Sequence, residues 1–356
     1  MDASKGSVDG EEEGSPAKRQ RQSSLEAAGA QAVAAALSAA AADAAYFEAY
    51  DELSVHALML GDTSRVGAYA AALRLASESL KGKVVLDVGA GSGILSLLAA
   101  KYAAPAAVYA VEAVPGMARV ARALAARNGL DGVVRVVEGR IEDVELPGRV
   151  DAIVSEWMGF YLLHESMLES VLVARDKWLK PGGALLPSSA RIWAALVEAE
   201  ALRSEIEGYA SLHGLDLSPI ADAELQRRCS QPQVELVEPG RLLTSPALVA
   251  DLGCLRNMEL NATAEMQAEV RFVAARSGRA AGVAFWFDVG FEEPFSDSSL
   301  AVQLNTAPGA PATHWKQTVV YLGAFVPVEA GDVLPIQLLL QRSAENPRQY
   351  EITVET

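Results

Sequence analysis

The sequence predicts an α/β chain: a doubly wound, mostly parallel sheet, preceded by helices and followed by an antiparallel β region. Two observations carry this. Between Lys83 and Trp178, short apolar runs rich in β-branched residues alternate with helical stretches, the pattern of parallel strands joined by right-handed crossovers. Beyond Pro187, strand-like runs follow one another between Gly, Pro, Asn and Asp, as in an antiparallel sandwich or barrel. A length of 356 residues suits two domains.

The elements follow in order. Residues 1–24 mix Gly, Ser, Pro and charges without an apolar stretch, so they are expected to be a disordered tail and not a secretory signal. Lys18, Arg19 and Arg21 form a basic cluster there, which reads equally as a nuclear address or as a solvated patch. Residues 25–82 are expected to be helical, since 13 of the 19 residues from Ala27 to Ala45 are Ala. Tyr46, Phe47 and Tyr50 then make an aromatic stripe, which is either core packing or a lid. The α/β domain, 83–187, is expected to hold strands at Val84–Val88, Ala107–Val111, Val133–Val137 and Val150–Ser155. Its helices are expected at Ile94–Tyr102, Met117–Asn128 and Leu163–Trp178. In 188–356 the strand-like runs are Val270–Val273, Val283–Phe291, Leu300–Leu304, Thr318–Phe325, Ile336–Leu340 and Tyr350–Val354. Ala201–Arg228 looks helical and carries apolar Leu202, Ile206, Tyr209, Leu212 and Leu215, so it is an interaction arm or one more packed helix.

Composition narrows the function. With 30 Lys and Arg against 46 Asp and Glu, the formal charge is −16, which disfavours a clamp on nucleic-acid phosphates and favours a cationic partner. No apolar run suits a membrane span. Cys229 and Cys254 stand far apart without neighbouring Cys or His, so neither a disulfide framework nor a metal site is expected, and the compartment reads as reducing.

The chemistry begins at Gly89-Ala90-Gly91-Ser92-Gly93, on a strand-to-helix junction where glycines let a ligand approach the backbone. The spacing is GxGxG with Ile94 next, so the GxGxxG dinucleotide fingerprint is not met. Glu112, ending the second strand, is placed to accept hydrogen bonds from both hydroxyls of a ribose. An adenosine ligand without a diphosphate remains. Further on, Glu156 and Glu165 flank an apolar, Gly-containing hairpin (SEWMGFYLLHE). Two carboxylates brought together repel by roughly 4 kcal/mol at 4 Å for an effective dielectric near 20. A cation relieves this, and a guanidinium, planar and forked, gives each carboxylate a bidentate pair better than an ammonium does. The plain alternative is two unrelated surface glutamates.

VLDVGAGSG followed by AVEA resembles the class I, Rossmann-like S-adenosylmethionine-dependent methyltransferases. SEWMGFYLLHESM, Thr313-His314-Trp315 and Tyr46-Phe47-Glu48-Ala49-Tyr50 resemble the double-E loop, THW loop and YFxxY motif of the protein arginine methyltransferases. This resemblance covers about residues 43–356 and lies nearest the sixth, type I subtype. It implies an antiparallel β-barrel with a dimerisation arm at about 201–228, S-adenosylmethionine as cofactor without metal, and a homodimer. It also implies mono- and asymmetric dimethylarginine as products, Arg-rich substrates such as histone tails, and a nuclear location, with cytoplasm also open. For the cofactor it implies Phe47 and Tyr50 as a lid, and His56 and Arg65 at the methionine portion, Arg65 on the carboxylate. Gly89, Gly91, Glu112, Glu142 and Ser170 complete that set. It further implies Glu156 and Glu165 on the substrate, His314 paired with Asp62 beside them, and Met59, Met158 and Trp315 around the pocket. Neither glutamate is expected to touch S-adenosylmethionine. Ala57 and Leu58 depart from two family glutamates, and Phe160-Tyr161 from Tyr-Gly. The rival readings are a small-molecule methyltransferase on the same fold and a non-catalytic scaffold that binds arginine tails.

Overall fold

The computed structural model describes residues 38–209, 213–292 and 302–355. The tail, its basic cluster, residues 27–37 of the Ala-rich stretch, Leu212 and Leu300 lie outside the described residues. Four helices lead: α1 (38–49), α2 (Leu53–Gly61), α3 (Thr63–Leu75) and α4 (Ser77–Leu80). The parallel sheet follows with β1 (Val84–Val88), β2 (Ala107–Glu112), β3 (Val134–Glu138), β4 (Val150–Val154) and β5 (Leu179–Leu186) in the order β3-β2-β1-β4-β5. Helices α5 (Ile94–Ala103), α6 (Pro115–Arg127) and α7 (Met167–Trp178) make the crossovers. The order reverses between β1 and β4, so the carboxyl ends of β1, β2 and β4 open one crevice. β2 is buried at every position, which is why it reads as a continuous apolar run and not as an alternation.

Two antiparallel sheets follow. The larger has the order β7-β12-β10-β6-β8, with β11 also paired to β10. It is built from β6 (Ser189–Glu198), β7 (Gln233–Glu235), β8 (Ala247–Cys254), β10 (Gly278–Phe291), β11 (Val302–Asn305) and β12 (Gln317–Val328). The smaller has the order β14-β13-β9, from β9 (Glu265–Val273), β13 (Val333–Arg342) and β14 (Tyr350–Glu355). One face of β10 puts Phe285 and Phe287 into the main core, which also holds Leu86, Leu338 and the α/β sheet. The other face puts Ala284 and Trp286 into a second cluster with Leu202 and Ile206. Those two residues belong to α8 (Glu200–Tyr209), so the start of the arm is anchored on the larger sheet.

Three sequence expectations change. The 201–228 stretch is two helices, α8 and α9 (Ser218–Cys229), broken where His213 and Gly214 take positive φ and Pro219 opens α9. α7 begins at Met167 and not at Leu163, because the preceding residues are drawn into tertiary contacts described below. Strands β5, β6, β7 and β8 were not among the expected runs.

Phe285 is fully buried where the larger sheet meets the main core. Phe285→Ala is expected to cost about 3–5 kcal/mol, read as a lowered midpoint in chemical denaturation.

Candidate active site

Every residue singled out above for the site, Asp62 apart, lines one cavity of about 230 Å³ over the carboxyl ends of the parallel strands. Its floor is the β1–α5 turn. Gly89 and Gly91 take positive φ (70° and 54°), and a Cβ on Gly91 would sit 3.2 Å from the His56 ring, so this backbone suits glycine alone. Glu112 ties the floor together: Oε2 accepts from the Gly91 amide at 2.6 Å and Oε1 from the Val114 amide at 2.7 Å. Burial raises its pKa above the usual carboxylate range against those amides, so displacing water with a neutral diol is favoured over adding another anion. Farther out, Ser170 donates to Glu142 at 2.7 Å. His56 is buried with Nε2 2.9 Å from the Tyr50 carbonyl, which joins α2 to the aromatic helix α1.

The acidic wall is the 155–166 loop between β4 and α7. Tyr161, Leu162, Glu165 and Ser166 all take positive φ, a conformation that side chains other than glycine rarely accept and that costs of order 1 kcal/mol or more each. Surrounding bonds hold it. Gly159 and Leu162 exchange both backbone hydrogen bonds at 3.0 Å, and a Cβ on Gly159 would overlap the His164 carbonyl. Tyr161 Oη and His164 Nδ1 stand 3.1 Å apart, and burial lowers the pKa of His164. The Glu165 amide donates to the Arg348 carbonyl at 2.6 Å, which turns the chain out of the helix that its own sequence would extend.

Glu165 is half-buried on the cavity wall. Its carboxyl is pushed up to about 7, by burial first and then by the charge of Glu156, against a hydrogen bond from Tyr50 at 2.8 Å and the nearby Arg348 cation. Glu156 is held differently. Arg65 places Nε and Nη2 each 2.9 Å from its Oε2, and the Met158 amide reaches Oε1 at 3.2 Å. The sequence expectation placed Arg65 at the cofactor carboxylate and did not foresee this pairing with Glu156. Among the described residues no Lys or Arg bridges the two carboxylates, because Arg65 spends its remaining Nη1 on the Met59 carbonyl at 3.1 Å. Two bonds on Oε2 and one on Oε1 leave Glu156 too little capacity for the expected bidentate pair. Glu156 Oε1, which keeps one acceptor site, and Glu165 Oε1 remain for an incoming cation.

The third side is Thr313-His314-Trp315. His314 Nδ1 lies 2.7 Å from Asp62 Oδ2, whose Oδ1 caps α3 through the Arg65 amide at 2.9 Å. Burial raises the Asp62 carboxyl, but the hydrogen bonds from His314 and Arg65 outweigh it and hold its pKa below the usual range. Trp315 donates to the Met158 carbonyl at 2.9 Å. Sequence reasoning missed Tyr69, which donates to Ser155 at 2.8 Å and stands 3.8 Å from the Met158 sulfur. It also missed Asp43, Arg140 and Arg348, whose partners lie too far off in the chain to be read from spacing.

A glycine turn at the sheet's switch point, with a buried carboxylate at the end of the second strand and no diphosphate fingerprint, suits a class I methyltransferase fold. Comparison with known proteins takes this further. Residues 85–183 match a methyltransferase domain, and residues 188–356 match the arginine methyltransferase oligomerization subdomain. Protein arginine N-methyltransferase 6 of Xenopus tropicalis is 39% identical over 318 residues, 87% of this chain and 90% of that protein. A Trypanosoma brucei PRMT1 enzyme–prozyme heterotetramer with AdoHcy superposes with a TM-score of 0.77 at 30% identity, over 86% of this chain and 93% of that one. Protein arginine methyltransferase 10 of Arabidopsis thaliana gives 0.76 at 36% identity, over 87% and 94%. The chain belongs to the protein arginine methyltransferase family, and its activity is S-adenosylmethionine-dependent methylation of arginine. The residues present fit that cofactor: a glycine floor without room for side chains, a buried carboxylate for the diol, and a guanidinium, Arg65, for a carboxylate.

The raised Glu165 pKa has a sign. A carboxyl that binds its proton more tightly when folded contributes stability that is full below its ordinary value of 4.5 and lost as pH rises to about 7. Ligand-free Glu165→Gln is therefore expected to flatten the fall in stability between those pH values and to exceed the wild type above pH 7 by up to roughly 3 kcal/mol, read from denaturation midpoints across pH.

Proposed function

We propose that the cavity takes arginine side chains of proteins to mono- and asymmetric dimethylarginine, with Glu156 and Glu165 as the catalytic residues. The observation that carries this is the pair of half-buried carboxylates lining one cavity above the glycine floor, one pinned by Arg65 and the other with its pKa raised to about 7 without a full counter-charge. Such a pair lacks one cation. A guanidinium supplies it, donating to Oε1 of each glutamate and offsetting the energetic cost of the partly desolvated charge.

When bound, S-adenosylmethionine supplies an activated methyl group. The protein has then mainly to orient a guanidinium nitrogen. Glu165, ionised as the cation enters, and Glu156 fix the plane of the guanidinium and draw its positive charge toward the nitrogens they hold, leaving the remaining nitrogen electron-rich. The surplus proton passes to a base on the cavity wall. Glu165 and His314, the latter oriented by Asp62, are the bases on that wall. His56 and Arg65 hold the methionine end of the cofactor, Glu112 the ribose, Glu142 and Ser170 the adenine side, and Phe47 and Tyr50 cover it. Met59 and Met158 limit the room around the methylated nitrogen, and Trp315 fixes Met158 from behind.

Histone tails suit a chain of net charge −16 as cationic substrates. The oligomerization subdomain makes self-association a family property, and Leu215 and Ile220, exposed at 62% and 52% on the outer part of the arm, support a homodimer through it. Lys18, Arg19 and Arg21 support a nuclear location.

Glu165→Gln is expected to abolish methyl transfer with cofactor affinity within a few fold. Glu156→Gln is expected to abolish it and also to weaken cofactor binding about 10-fold, roughly 1.4 kcal/mol, because it releases Arg65. Calorimetric titration beside a core-histone methylation assay checks both, and retained turnover in either mutant contradicts the assignment. Mass spectrometry of the same reaction is expected to give the neutral loss of asymmetric dimethylarginine.

A further inference from the structure

Arg348, on the turn before β14, touches the aromatic helix and the acidic loop together. Its guanidinium lies 3.8 Å from the ring centre of Tyr46 and 5.4 Å from that of Phe47. Nε and Nη2 meet Asp43 Oδ1 on α1 at 2.7 and 2.6 Å, while the other Asp43 oxygen holds Arg140 at 2.6 Å. Nη1 donates to the Glu165 carbonyl at 2.9 Å, and the Arg348 carbonyl receives the Glu165 amide at 2.6 Å. Next to it, Ser166 donates to the Pro347 carbonyl at 2.7 Å. One side chain thus joins three segments remote in sequence, and its turn holds both main-chain polar groups of a strained residue.

We propose that Arg348 is a positioning residue that docks the lid helix and sets Glu165 as one unit, so that the acidic wall is complete only when α1 lies over the cavity. The proposal rests on the assignment of Glu165 to the substrate. A guanidinium is needed at this position because stacking on Tyr46, pairing with Asp43 and donating to Glu165 use different parts of one planar fork, which an ammonium cannot do at once. Cofactor capture and substrate orientation are coupled through it. Tyr50, which bonds Glu165 from the lid, reinforces the same coupling.

The groups facing Glu165 are Tyr46 from α1 and Tyr50 just beyond it, Glu156 and Tyr161 from its own loop, and Arg348 from the turn. Arg348 is the cation among them that lowers its proton affinity. Removing Arg348 therefore moves the acid limb of activity to higher pH, a change that loss of fold stability alone does not produce.

The test compares wild type, Arg348→Ala, Arg348→Lys and Glu165→Gln in pH profiles of kcat/KM, in KM for S-adenosylmethionine and in thermal melts. Arg348→Ala is expected to lose on the order of 100-fold in kcat/KM, with a raised cofactor KM and the acid limb displaced upward. Arg348→Lys is expected to return the limb toward its wild-type position while the cofactor KM stays raised. An inactive Glu165→Gln beside an Arg348→Ala of wild-type limb and wild-type cofactor KM overturns this proposal alone. An active Glu165→Gln overturns the assignment of the acidic pair and this proposal with it. Should Arg348→Ala not fold, Arg348→Lys decides: an unchanged cofactor KM overturns the coupling.

Discussion

The site depends on a carboxylate partly withdrawn from water beside another. Glu165 lines the cavity, shares its space with Glu156, and is relieved by hydroxyl and cation neighbours that do not fully balance it. Removing a charge from water is costly, and the cost is tolerated when a partner of opposite sign arrives. Arg65 neutralises Glu156 from the cofactor side, so the space between the glutamates is short of one cation and not two. Geometry and charge together favour a permanently charged, planar group over a neutral metabolite, which weakens the small-molecule alternative on this fold.

The backbone around Glu165 carries the same logic. Four non-glycine residues at positive φ fall within six positions; Leu162 is held by Gly159, and Glu165 and Ser166 by hydrogen bonds with the turn before β14. A loop left to its own propensities would continue as helix. The antiparallel region thereby shapes the acidic wall of the parallel one, and the two sheets share a core that makes their relative placement rigid enough to matter for chemistry.

Much of this was legible in the sequence. The alternation from Lys83 onward gave the parallel sheet because β1 and β2 are buried apolar runs between turns, and Gly89 to Gly93 with Glu112 pointed to the cofactor class. SEWMGFYLLHESM pointed to the acidic pair. Other features were hidden for physical reasons. Leu163 to Ser166 reads as helix, since the contact that prevents it comes from Arg348, far along the chain. β5 contains Lys180-Pro181-Gly182-Gly183, turn residues that mask a strand. Gly214 and Pro219 do signal the break in the arm, but its apolar spacing reads through it. The bond between Arg65 and Glu156 joins α3 to the acidic loop, and no local pattern announces it.

The central claim is that an arginine guanidinium supplies the charge missing at Glu165. Calorimetry of an arginine peptide binding to the enzyme with S-adenosylhomocysteine at pH 7, repeated in buffers of different ionisation enthalpy, measures the protons released. With the Glu165 carboxyl near 7, the account predicts release of about half a proton, absent in Glu165→Gln. The same release from that mutant, or none from the wild type, would contradict it.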